Sequence, residues 1–384
     1  MRILWLGSVF DENTMINSPA VSPAANRWQS GLIEALREIG CDVQMLGHRP
    51  EPVWPRGNFY VQGCTGNAPL INHNLRTPQH LISYFNIYRF RDFYLKLQYS
   101  NIFRRNLLFN VPQCILSYNV YPHSYAVGRE AMRRGIPWIP IVADAPGEPQ
   151  AYRQLEQKLS IAAGVIFLSW YSFINWSGGP KIHLDGGVNT IPSKEIELPS
   201  SEKPKIIFYS GSLNQYGGID LLLDAFNKID NADARLWICG KGDHKKMQQA
   251  LKTDDRITFY GCVDELTLAQ LSRQAWVMVN PRPNAVIDSK HNFPSKILEY
   301  LSYGKPVIST WTLGLSPEYR HVLYIPDEET AEGLSDIIQK IFQWSDHQYR
   351  ENAIAVFSFL KQKTWVEQAK RLNTWISLEI ASHR

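Results

Sequence analysis

Short apolar segments alternate with segments of helical period along most of the chain, and this alternation predicts parallel β-sheets covered by helices. The first instance runs from RILWLG, residues 2–7, through an amphipathic helical stripe to DVQML, residues 42–46. A second series of the same kind begins at KIIFYSG, residues 205–211, and continues through RLWICG, RITFYG and AWVMVNP. The sequence therefore predicts an α/β fold with two similar halves.

The chain is 384 residues long, which is more than one ordinary domain needs. Residues 191–204 are rich in Pro, Ser, Lys and Glu and show no periodicity, which is typical of a linker. We therefore predict a first domain over 1–190 and a second over 205–363. The last segment, 364–384, carries an apolar stripe and is predicted to form an amphipathic helix.

Composition excludes several classes of protein. A formal net charge of +4 is only mildly basic and gives no indication of a nucleic-acid partner. The five cysteines are scattered and form no CxxC pair, which predicts reduced thiols in a cytoplasmic protein rather than a zinc or disulfide site. The apolar run RILWLG near the N-terminus is too short for a signal peptide or a membrane span.

A lysine occupies an unusual place in the segment NFPSKILEYLSYGKP, residues 292–306. The segment predicts a short helix that ends at Gly304, with Lys296 in its first turn, where the helix dipole is positive. A bound phosphate would make that lysine favourable, and Glu299, three residues further on, could accept a hydroxyl of the same ligand. The alternative is a surface Lys–Glu pair that contributes only about 0.2–0.5 kcal/mol.

A second basic residue follows a predicted buried strand. Arg282 stands just after AWVMVNP, at the kind of strand end where open α/β sheets bind ligands, and an arginine can hold two phosphate oxygens at once. A loop salt bridge is the alternative. Together, Arg282 and Lys296 bracket one loop and predict a diphosphate site.

Four stretches of the second half resemble one family when they are taken in order: YSGSLNQYGGIDLLLDAF, LWICGKGD, RITFYGCVDELTLAQLSRQAWVMVNPRP and FPSKILEYLSYGKPVIS. They are similar to the group 1 (family 4) nucleotide-sugar glycosyltransferases, densely over 205–310 and more loosely in the first half. The resemblance implies the GT-B fold, in which two Rossmann-like domains face each other across a cleft and the C-terminal helix returns to the N-terminal domain. It also implies that the first domain binds the acceptor and the second the donor.

The resemblance assigns donor-binding roles by position. Glu299 matches the glutamate that holds the donor ribose, and Arg282 and Lys296 stand where the diphosphate-binding cations stand. Val263 would contact the base through its backbone. The other donor-site positions implied by the family pattern are Gly211, Ser212, Gly240, Gly242, Phe293, Pro294 and Ser295.

Three departures from the family pattern concern the sugar and the phosphates. Many members carry a second glutamate where this chain has His291, with Asp288 nearby, so sugar recognition is left to these two positions. Many members have a lysine where this chain reads Gly217-Gly218, which leaves the diphosphate charge to the two basic residues. The N-terminal loop SPAVSPAAN lacks a Gly-Gly pair and places Asn26 near the donor or the acceptor.

Residues of the first half are candidates for the chemistry. Asp144, in IVADAPGEP at the end of a predicted strand, would act as a general base or stabilise an oxocarbenium ion, and a turn cap is the alternative. Glu148 is its neighbour, and His123 would line the acceptor side. The resemblance implies a retaining reaction in which the leaving phosphate takes the acceptor's proton, so that no protein base is required.

No Asp-x-Asp occurs in the sequence, so the metal clamp of the other large glycosyltransferase fold is missing, and we expect neither a metal nor a cofactor. Preorganised cations and N–H donors would stabilise the leaving group instead.

The segment 83–109 holds nine aromatic residues and five Lys/Arg against one acid. Rings and cations interleaved on helices fit a membrane interface with anionic lipids, which predicts peripheral contact with the inner face of the membrane and a glycan or lipid-linked glycan as acceptor. A helix packed between domains is the alternative. Single-stranded nucleic acid would also fit such a surface, but nothing else in the sequence supports it.

Together these features predict a hexosyltransferase of polysaccharide biosynthesis that uses a UDP-, GDP- or ADP-sugar and a hydroxyl acceptor. A sugar-nucleotide epimerase of the same fold and a non-catalytic nucleotide-sugar or glycan-binding relative stay open as alternatives. A dinucleotide dehydrogenase is excluded because neither GSLNQYGG nor LGSVFDENT fits G-x-G-x-x-G.

Overall fold

The structure is a computed structural model that describes residues 1–18, 20–70, 76–189, 191, 204–242, 244–284 and 289–380. The chain divides into two compact units. Unit 1 is formed by Met1–Asn189, Lys290–Phe293 and Lys363–Arg384, and unit 2 by Thr190–Ser289 and Pro294–Gln362. Residues 192–203, most of the predicted linker, lie outside the described residues.

The elements are numbered in chain order. The strands are β1 (Arg2–Leu6), β2 (Asp42–Gly47), β3 (Tyr60–Val61), β4 (Thr65–Asn67), β5 (Pro78–Leu81), β6 (Tyr84–Phe85), β7 (Cys114–Tyr118), β8 (Trp138–Val142), β9 (Val165–Phe167), β10 (Lys181–His183), β11 (Lys205–Ser210), β12 (Ala234–Cys239), β13 (Ile257–Gly261), β14 (Val277–Asn280) and β15 (Val307–Ser309). The helices are α1 (Glu12–Asn17), α2 (Pro23–Glu38), α3 (Phe90–Leu107), α4 (Pro122–Arg133), α5 (Pro149–Leu159), α6 (Trp170–Asn175), α7 (Ile219–Asn227), α8 (Lys245–Thr253), α9 (Glu265–Gln274), α10 (Lys296–Leu301), α11 (Ala331–Phe342), α12 (Asp346–Leu360) and α13 (Trp365–Trp375).

Unit 1 is built on one twisted sheet with the strand order β10-β9-β8-β7-β1-β2-β5-β4. Its strands are parallel except β4, which pairs antiparallel with β5 at the edge. The central strands β1, β7 and β8 are almost wholly buried, as expected for strands that helices cover on both faces. A separate antiparallel pair, β3 and β6, lies outside this sheet.

The C-terminal helix α13 belongs to unit 1 and packs against α2. The Trp365 ring lies so close to Gly31 that any Cβ there would collide with it, and it meets the Trp28 ring edge-on at 5.7 Å. Just before α13, Lys363 forms a buried ion pair with Asp185, with a 2.7 Å distance between Nζ and Oδ2. Contact between a glycine on α2 and a tryptophan on α13 thus holds the two helices together.

Unit 2 contains an all-parallel sheet with the order β13-β12-β11-β14-β15. One face of α7 is buried, and Ile219, Leu222 and Phe226 on that face are each completely inaccessible to solvent. The predicted strands of this half are present, and their apolar residues form one core with α7 and α11.

Both sheets reverse their direction of growth at the first strand of the unit. In unit 1, β2 lies on one side of β1 and β7 on the other; in unit 2, β12 lies on one side of β11 and β14 on the other. Open parallel sheets bind ligands at such a reversal, outside the carboxyl ends of the strands. Two Rossmann-like units therefore each offer one topologically favoured site.

The segment 83–109 is only partly helical, which corrects the interpretation of its rings and cations as lying on helices. Tyr84–Phe85 form β6, and the helix α3 begins at Phe90. A strand of two residues shows no periodicity, so the pair of β3 and β6 was not predictable from the apolar pattern. Among the described residues, no helix has both the length and the apolar composition needed to cross a bilayer.

Candidate functional site

Two glycine turns meet at the carboxyl edge of the sheet in unit 2. Gly211 follows β11 and Gly240 follows β12, and Gly240 has a φ of +143°, which residues with a side chain rarely adopt. A Cβ on Gly240 would lie 1.8 Å from the backbone oxygen of Gly211. Only glycine lets the two turns approach this closely, and turns of this kind leave room for phosphate groups beside the backbone.

Two buried tyrosines hold the first turn in place. The Tyr209 hydroxyl lies 2.8 Å from the Ser212 carbonyl oxygen, to which it donates. The Tyr300 hydroxyl accepts from the backbone N–H of Ser210 at 2.7 Å and donates to the carbonyl oxygen of the same residue at 3.0 Å. Burial raises the pKa of both phenols, so both remain protonated donors.

The pair Gly217-Gly218 allows a second close approach. Gly218 precedes α7 in a left-handed conformation with a φ of +76°, and a Cβ there would lie 1.8 Å from the Pro281 carbonyl oxygen. Pro281 immediately precedes Arg282. The lysine of the family pattern would stand at Gly217, where a Cβ would lie 2.1 Å from the Ser212 carbonyl oxygen, so the departure at this position fits the tight turn before α7.

Lys296 projects from α10 onto the first glycine turn. Its Nζ atom lies 4.6 Å from the centroid of the Tyr209 ring and would be 2.4 Å from a Cβ on Gly211. The pKa of Lys296 is lowered to about 8, first by burial and then by the Arg282 charge, while the Glu299 charge opposes the shift. The three predicted residues thus lie within electrostatic reach of one another.

The helix dipole contributes less here than the sequence interpretation assumed. Helix α10 has only six residues, and Ser295, at its N-cap, makes no capping hydrogen bond. The macrodipole is a sum over aligned peptide units, so a helix of six residues provides a small one. The positive charge of the site therefore comes from the Lys296 and Arg282 side chains.

A buried network fixes the backbone that carries Arg282. Thr310 donates its hydroxyl hydrogen to the Arg282 carbonyl oxygen, and Asn280 donates through Nδ2 to the Ser309 hydroxyl at 2.9 Å. Asn280, Ser309 and Thr310 are all buried. Buried and satisfied polar groups of this kind hold a functional side chain at a defined position.

The other predicted donor residues of unit 2 lie in different environments. Ser212 is exposed, and Gly242 packs against the Leu213 turn, where a Cβ would lie 2.8 Å from a backbone oxygen. Val263 follows β13 at the same edge of the sheet as the glycine turns. Pro294 is buried, whereas the Ser295 side chain faces solvent.

A pocket of about 350 Å³ opens in unit 1 at the carboxyl ends of β1, β2 and β7. Asn26 and His123, both predicted on the acceptor side, line it. The Asn26 amide exchanges two hydrogen bonds with the Phe10 backbone, at 2.8 and 2.9 Å, so it holds the loop in shape. His123 is buried, and the Tyr121 ring stacks on it with 5.5 Å between centroids.

His48 and Tyr99 complete the aromatic wall of this pocket. The Nδ1 atom of His48 lies 2.9 Å from the Tyr99 hydroxyl, and its ring meets that of His123 edge-on at 5.0 Å. Burial lowers the pKa of His48 to about 4 and holds the pKa of His123 well below its usual range. Both rings are therefore neutral at pH 7. Among the described residues, neither His123 nitrogen has a hydrogen-bond partner, which leaves them able to bond a ligand hydroxyl.

Asp144 lies beyond β8 and lines a second cavity of unit 1, of about 430 Å³. Asn292 donates to its Oδ1 atom through Nδ2 at 2.6 Å. Asn119 directly follows β7 and has a φ of +61°. Its Oδ1 atom accepts a hydrogen bond from the backbone N–H of Ala143, the residue before Asp144, at 3.0 Å. The Asp144 carboxylate thus sits at the carboxyl edge of the sheet, oriented by an amide donor.

Two further predicted residues have structural roles in unit 1. Glu148 caps α5 by accepting from the backbone N–H groups of Gln150 and Ala151 at 2.9 and 2.7 Å, which lowers the pKa of its carboxyl group. His291 is buried, and its Nδ1 atom lies 3.0 Å from the Ser172 hydroxyl.

Phe293 and Asp288 complete the set of predicted site residues. Phe293 is buried and, like His291, belongs to unit 1, whereas the next residue in the sequence, Pro294, belongs to unit 2. Asp288 lies outside the described residues.

Sequence reasoning missed Tyr209 and Tyr300 in unit 2, and His48 and Tyr99 in unit 1. Each lies in an apolar segment, where a tyrosine or histidine is explained by a place in the core as well as by a place in a binding site. A histidine directly after a predicted strand, as in DVQMLGH, was the one available signal, because strand ends of a parallel sheet carry ligand-binding groups.

The comparisons with known proteins agree with this architecture. Residues 204–343 match the family model for glycosyl transferases group 1. No curated protein sequence matches the chain. Sucrose-phosphate synthase from Thermosynechococcus elongatus is 16% identical and superimposes with a TM-score of 0.64, over 100% of both chains.

Two further structures contain ligands. The catalytic domain of starch synthase IV from Arabidopsis thaliana, bound to ADP and acarbose, gives a TM-score of 0.69 at 10% identity over 99% of each chain. HepE of Anabaena, in complex with UDP and glucose, gives 0.65 at 13% identity over 98% of this chain and 99% of that one. The chain therefore has a two-domain, GT-B-like α/β fold, and residues 204–343 carry the sequence pattern of the group 1 glycosyltransferases.

Proposed function

We propose that the chain is a hexosyltransferase that uses a nucleoside-diphosphate sugar and a hydroxyl acceptor. The observation that carries the proposal is the cluster of Arg282, Lys296 and Glu299 beside the glycine turns of unit 2. Two cations that are near each other and partly removed from water are unfavourable alone, and a diphosphate beside them would offset both costs. The match of this unit to group 1 glycosyl transferases supports the same assignment.

In this reaction the bond between the anomeric carbon and the diphosphate oxygen breaks, and negative charge develops on the leaving diphosphate. Lys296 and Arg282 would stabilise that charge, and removing one such preorganised group commonly costs about 3–4 kcal/mol of barrier. Glu299 would accept hydrogen bonds from the ribose hydroxyls. No metal is assigned a role, because two side-chain cations supply the charge and the sequence has no Asp-x-Asp.

The acceptor oxygen would bond to the anomeric carbon on the face that the diphosphate leaves, so that the configuration is retained. The acceptor's proton would pass to the leaving phosphate oxygen, and no protein base is needed for that transfer. Asp144 would stabilise positive charge on the sugar ring. The pocket that contains His123 would hold the acceptor, which we propose to be a glycan or lipid-linked glycan; its walls combine neutral rings and hydroxyl groups with Glu51, Arg91 and Asp92.

The donor base is proposed to be uracil, guanine or adenine. The Arabidopsis and Anabaena structures contain ADP and UDP, respectively, which supports two of the three. Nucleotide donors and free, scattered cysteines fit a protein of the cytoplasm, and we propose that it contacts the inner face of the membrane.

A thermal-shift screen with UDP, GDP, ADP and their sugars tests the donor site. A ligand present at 100 times its Kd stabilises the native state by about 2.7 kcal/mol, which gives a rise of several degrees in Tm. We expect the nucleotides of one base to raise the Tm of the wild type. The control Lys252→Ala, which changes an exposed lysine of α8, should show the same rise, and Lys296→Ala and Arg282→Ala should not. A rise that persists in both site variants would refute the diphosphate assignment.

Donor hydrolysis without acceptor distinguishes the transferase from its alternatives. A transferase releases free sugar and nucleoside diphosphate slowly, whereas a non-catalytic relative releases neither. A sugar-nucleotide epimerase that inverts a carbon by removing and returning its proton would instead exchange solvent deuterium into the recovered sugar. If deuterium enters the sugar and no sugar is transferred to any hydroxyl compound, the chain is an epimerase and the proposed transferase activity is wrong.

A further inference from the structure

Unit 1 exposes a continuous group of large apolar side chains, here called the aromatic face. Its members come from the loop before β3, from β3 and β6, and from α3, and each exposes between 41% and 67% of its surface: Trp54, Phe59, Tyr60, Phe85, Phe90, Phe93 and Leu97. The rings touch in sequence, with centroids 6.0 Å apart for Trp54–Phe59, 5.8 Å for Phe59–Phe85 and 5.2 Å for Tyr60–Phe85. Contiguous apolar surface of this kind marks an interaction site.

Helix α3 joins the aromatic face through Tyr94, whose ring lies 5.7 Å from that of Phe85. The helix has two apolar sides. Leu95, Tyr99 and Phe103 are buried against the core of unit 1. Phe90, Phe93 and Leu97, at helical spacing, lie on the opposite side and face solvent. A helix that is apolar on its solvent side as well needs an apolar partner there.

The segment that carries the aromatic face differs in formal charge from the rest of the chain. Residues 49–111 contain eight Lys/Arg and two Asp/Glu, a formal charge of +6. The remaining 32 Lys/Arg and 34 Asp/Glu leave everything else at −2. Lys96 and Arg105 are exposed and flank the apolar side of α3, while its one acid, Asp92, lines the pocket of unit 1.

We propose that the aromatic face docks on a bilayer that contains anionic lipid. Exposed rings fit the headgroup depth of a membrane, and the flanking cations are attracted to its negative surface. A second copy of the chain would place like charges opposite one another, which opposes association. Of a second copy and a lipid surface, only the lipid surface matches both the apolar side chains and the charge.

The proposed docking has a consequence for the acceptor, and this part rests on the proposed function. Leu95 and Tyr99 line the pocket of unit 1 from the side of α3 opposite to Phe93. The pocket is therefore separated from the membrane by about one helix diameter, roughly 10–12 Å. A lipid-linked acceptor would have to project its reacting sugar that far, so a spacer of phosphate or further sugars is required between lipid and acceptor hydroxyl.

Co-sedimentation of the full chain with vesicles tests the docking without any acceptor. We would use vesicles of phosphatidylcholine alone and of phosphatidylcholine with phosphatidylglycerol in equal parts. The apolar variant is Phe90→Ser/Phe93→Ser/Leu97→Ser, with Leu266→Ser/Leu313→Ser/Ile354→Ser, exposed apolar residues of unit 2, as its matched control. The charge variant is Arg89→Gln/Lys96→Gln/Arg105→Gln, with Lys245→Gln/Lys252→Gln/Arg273→Gln as its control. All of these side chains are exposed, and thermal unfolding checks that each variant is folded.

We expect the wild type and both controls to bind only the anionic vesicles, and binding to fall as salt rises because the Debye length shrinks from about 10 Å to about 3 Å between 0.1 M and 1 M. Each basic residue near an anionic surface contributes about fivefold in partition, so the charge variant should bind roughly 100-fold more weakly. Equal binding by the variants and their controls would overturn the proposal. A concentration-dependent dimer that the apolar variant abolishes would assign the face to a second copy instead. Either result leaves the nucleotide thermal shift untouched, so the donor assignment is judged separately.

Discussion

Units 1 and 2 share one backbone arrangement and differ in the side chains that it carries. In unit 2, a Cβ on Gly240 would lie 1.8 Å from the Gly211 oxygen, and in unit 1 a Cβ on Gly47 would lie 2.5 Å from the Gly7 oxygen. In each case, a glycine at or directly after the end of the unit's second strand packs on the glycine that follows the first strand. The close approach of these two turns is thus a property of the sheet reversal in both units.

The side chains around the two turns differ in charge. Unit 2 adds Lys296 and Arg282, whereas unit 1 adds His48 and His123, which burial keeps neutral. Cations favour a diphosphate, and neutral rings beside hydroxyl groups favour a sugar. The sheet topology therefore determines where a site lies in each unit, and the charges of the surrounding side chains determine which ligand it favours.

The largest effect is expected from removing a cation of unit 2. Lys296→Met keeps the aliphatic stem and should lower kcat/KM by about 100- to 1,000-fold, since about 3–4 kcal/mol of leaving-group stabilisation is lost. Lys252→Met, on the exposed side of α8, is the control and should retain wild-type turnover. Steady-state kinetics with the donor identified by thermal shift measures both. Wild-type turnover in Lys296→Met would show that the charge difference between the two units does not determine where the donor reacts.

The shared glycine arrangement is tested by Gly240→Ala and Gly47→Ala. Gly240 has a positive φ as well as the shorter contact, so its alanine variant should lose about 3 kcal/mol of unfolding free energy, and Gly47→Ala less. Urea unfolding measures both. Only Gly240→Ala should also weaken nucleotide binding, and equal weakening by the two variants would contradict the assignment of ligands to units.

Asp144→Asn addresses the chemistry assigned to unit 1. The amide preserves an oxygen for the hydrogen bond from Asn292 but removes the negative charge. We expect kcat to fall by about 100-fold, within the range of positioned charged or acid–base groups, while the nucleotide Kd stays within about twofold of wild type. A weakened Kd with an unchanged kcat would show that Asp144 belongs to donor binding.

A smaller effect concerns stability. Because burial and the Arg282 charge disfavour the charged form of Lys296, Lys296→Met should raise the unfolding free energy at pH 7 by about 1 kcal/mol, with loss of the contact to Tyr209 included. The pKa is about 8 in the folded chain and higher in the unfolded chain, so the wild type regains this stability as pH rises above 8. Denaturant unfolding at several pH values measures the gap, which should narrow with increasing pH.

The fold and the cluster of Arg282, Lys296 and Glu299 were largely predictable because their signals are local in sequence. Apolar strands, helical stripes and terminal glycines identified the α/β sheets, and charged residues at strand and helix ends identified Arg282, Lys296 and Glu299. Tyr300 could not be identified, since its hydroxyl bonds to Ser210 depend on packing between β11 and α10, about 90 residues apart. Tyr209 bonds to Ser212, only three residues away, but its place in an apolar strand is typical of a core residue.

The pocket of unit 1 was less predictable because distant segments form it. His48 follows β2, Tyr99 lies on α3 and His123 lies on α4, and only the sheet order brings them together. The aromatic face had a compositional signal in 83–109, but the contribution of Trp54, Phe59 and Tyr60 required the pairing of β3 with β6. Composition thus predicted a kind of partner, which stays a prediction, and did not define the surface.

The most direct test of the account is the pH dependence of nucleoside diphosphate binding, measured by titration calorimetry from about pH 7.5 to about pH 9.5. A diphosphate beside Lys296 raises the pKa of that residue, so wild-type affinity should fall as pH rises through about 8, by at most about tenfold per pH unit, with net proton uptake on binding. Lys296→Met should bind weakly and without that slope. A wild-type affinity that is independent of pH, or the same slope in the variant, would contradict the claim that Lys296 holds the diphosphate.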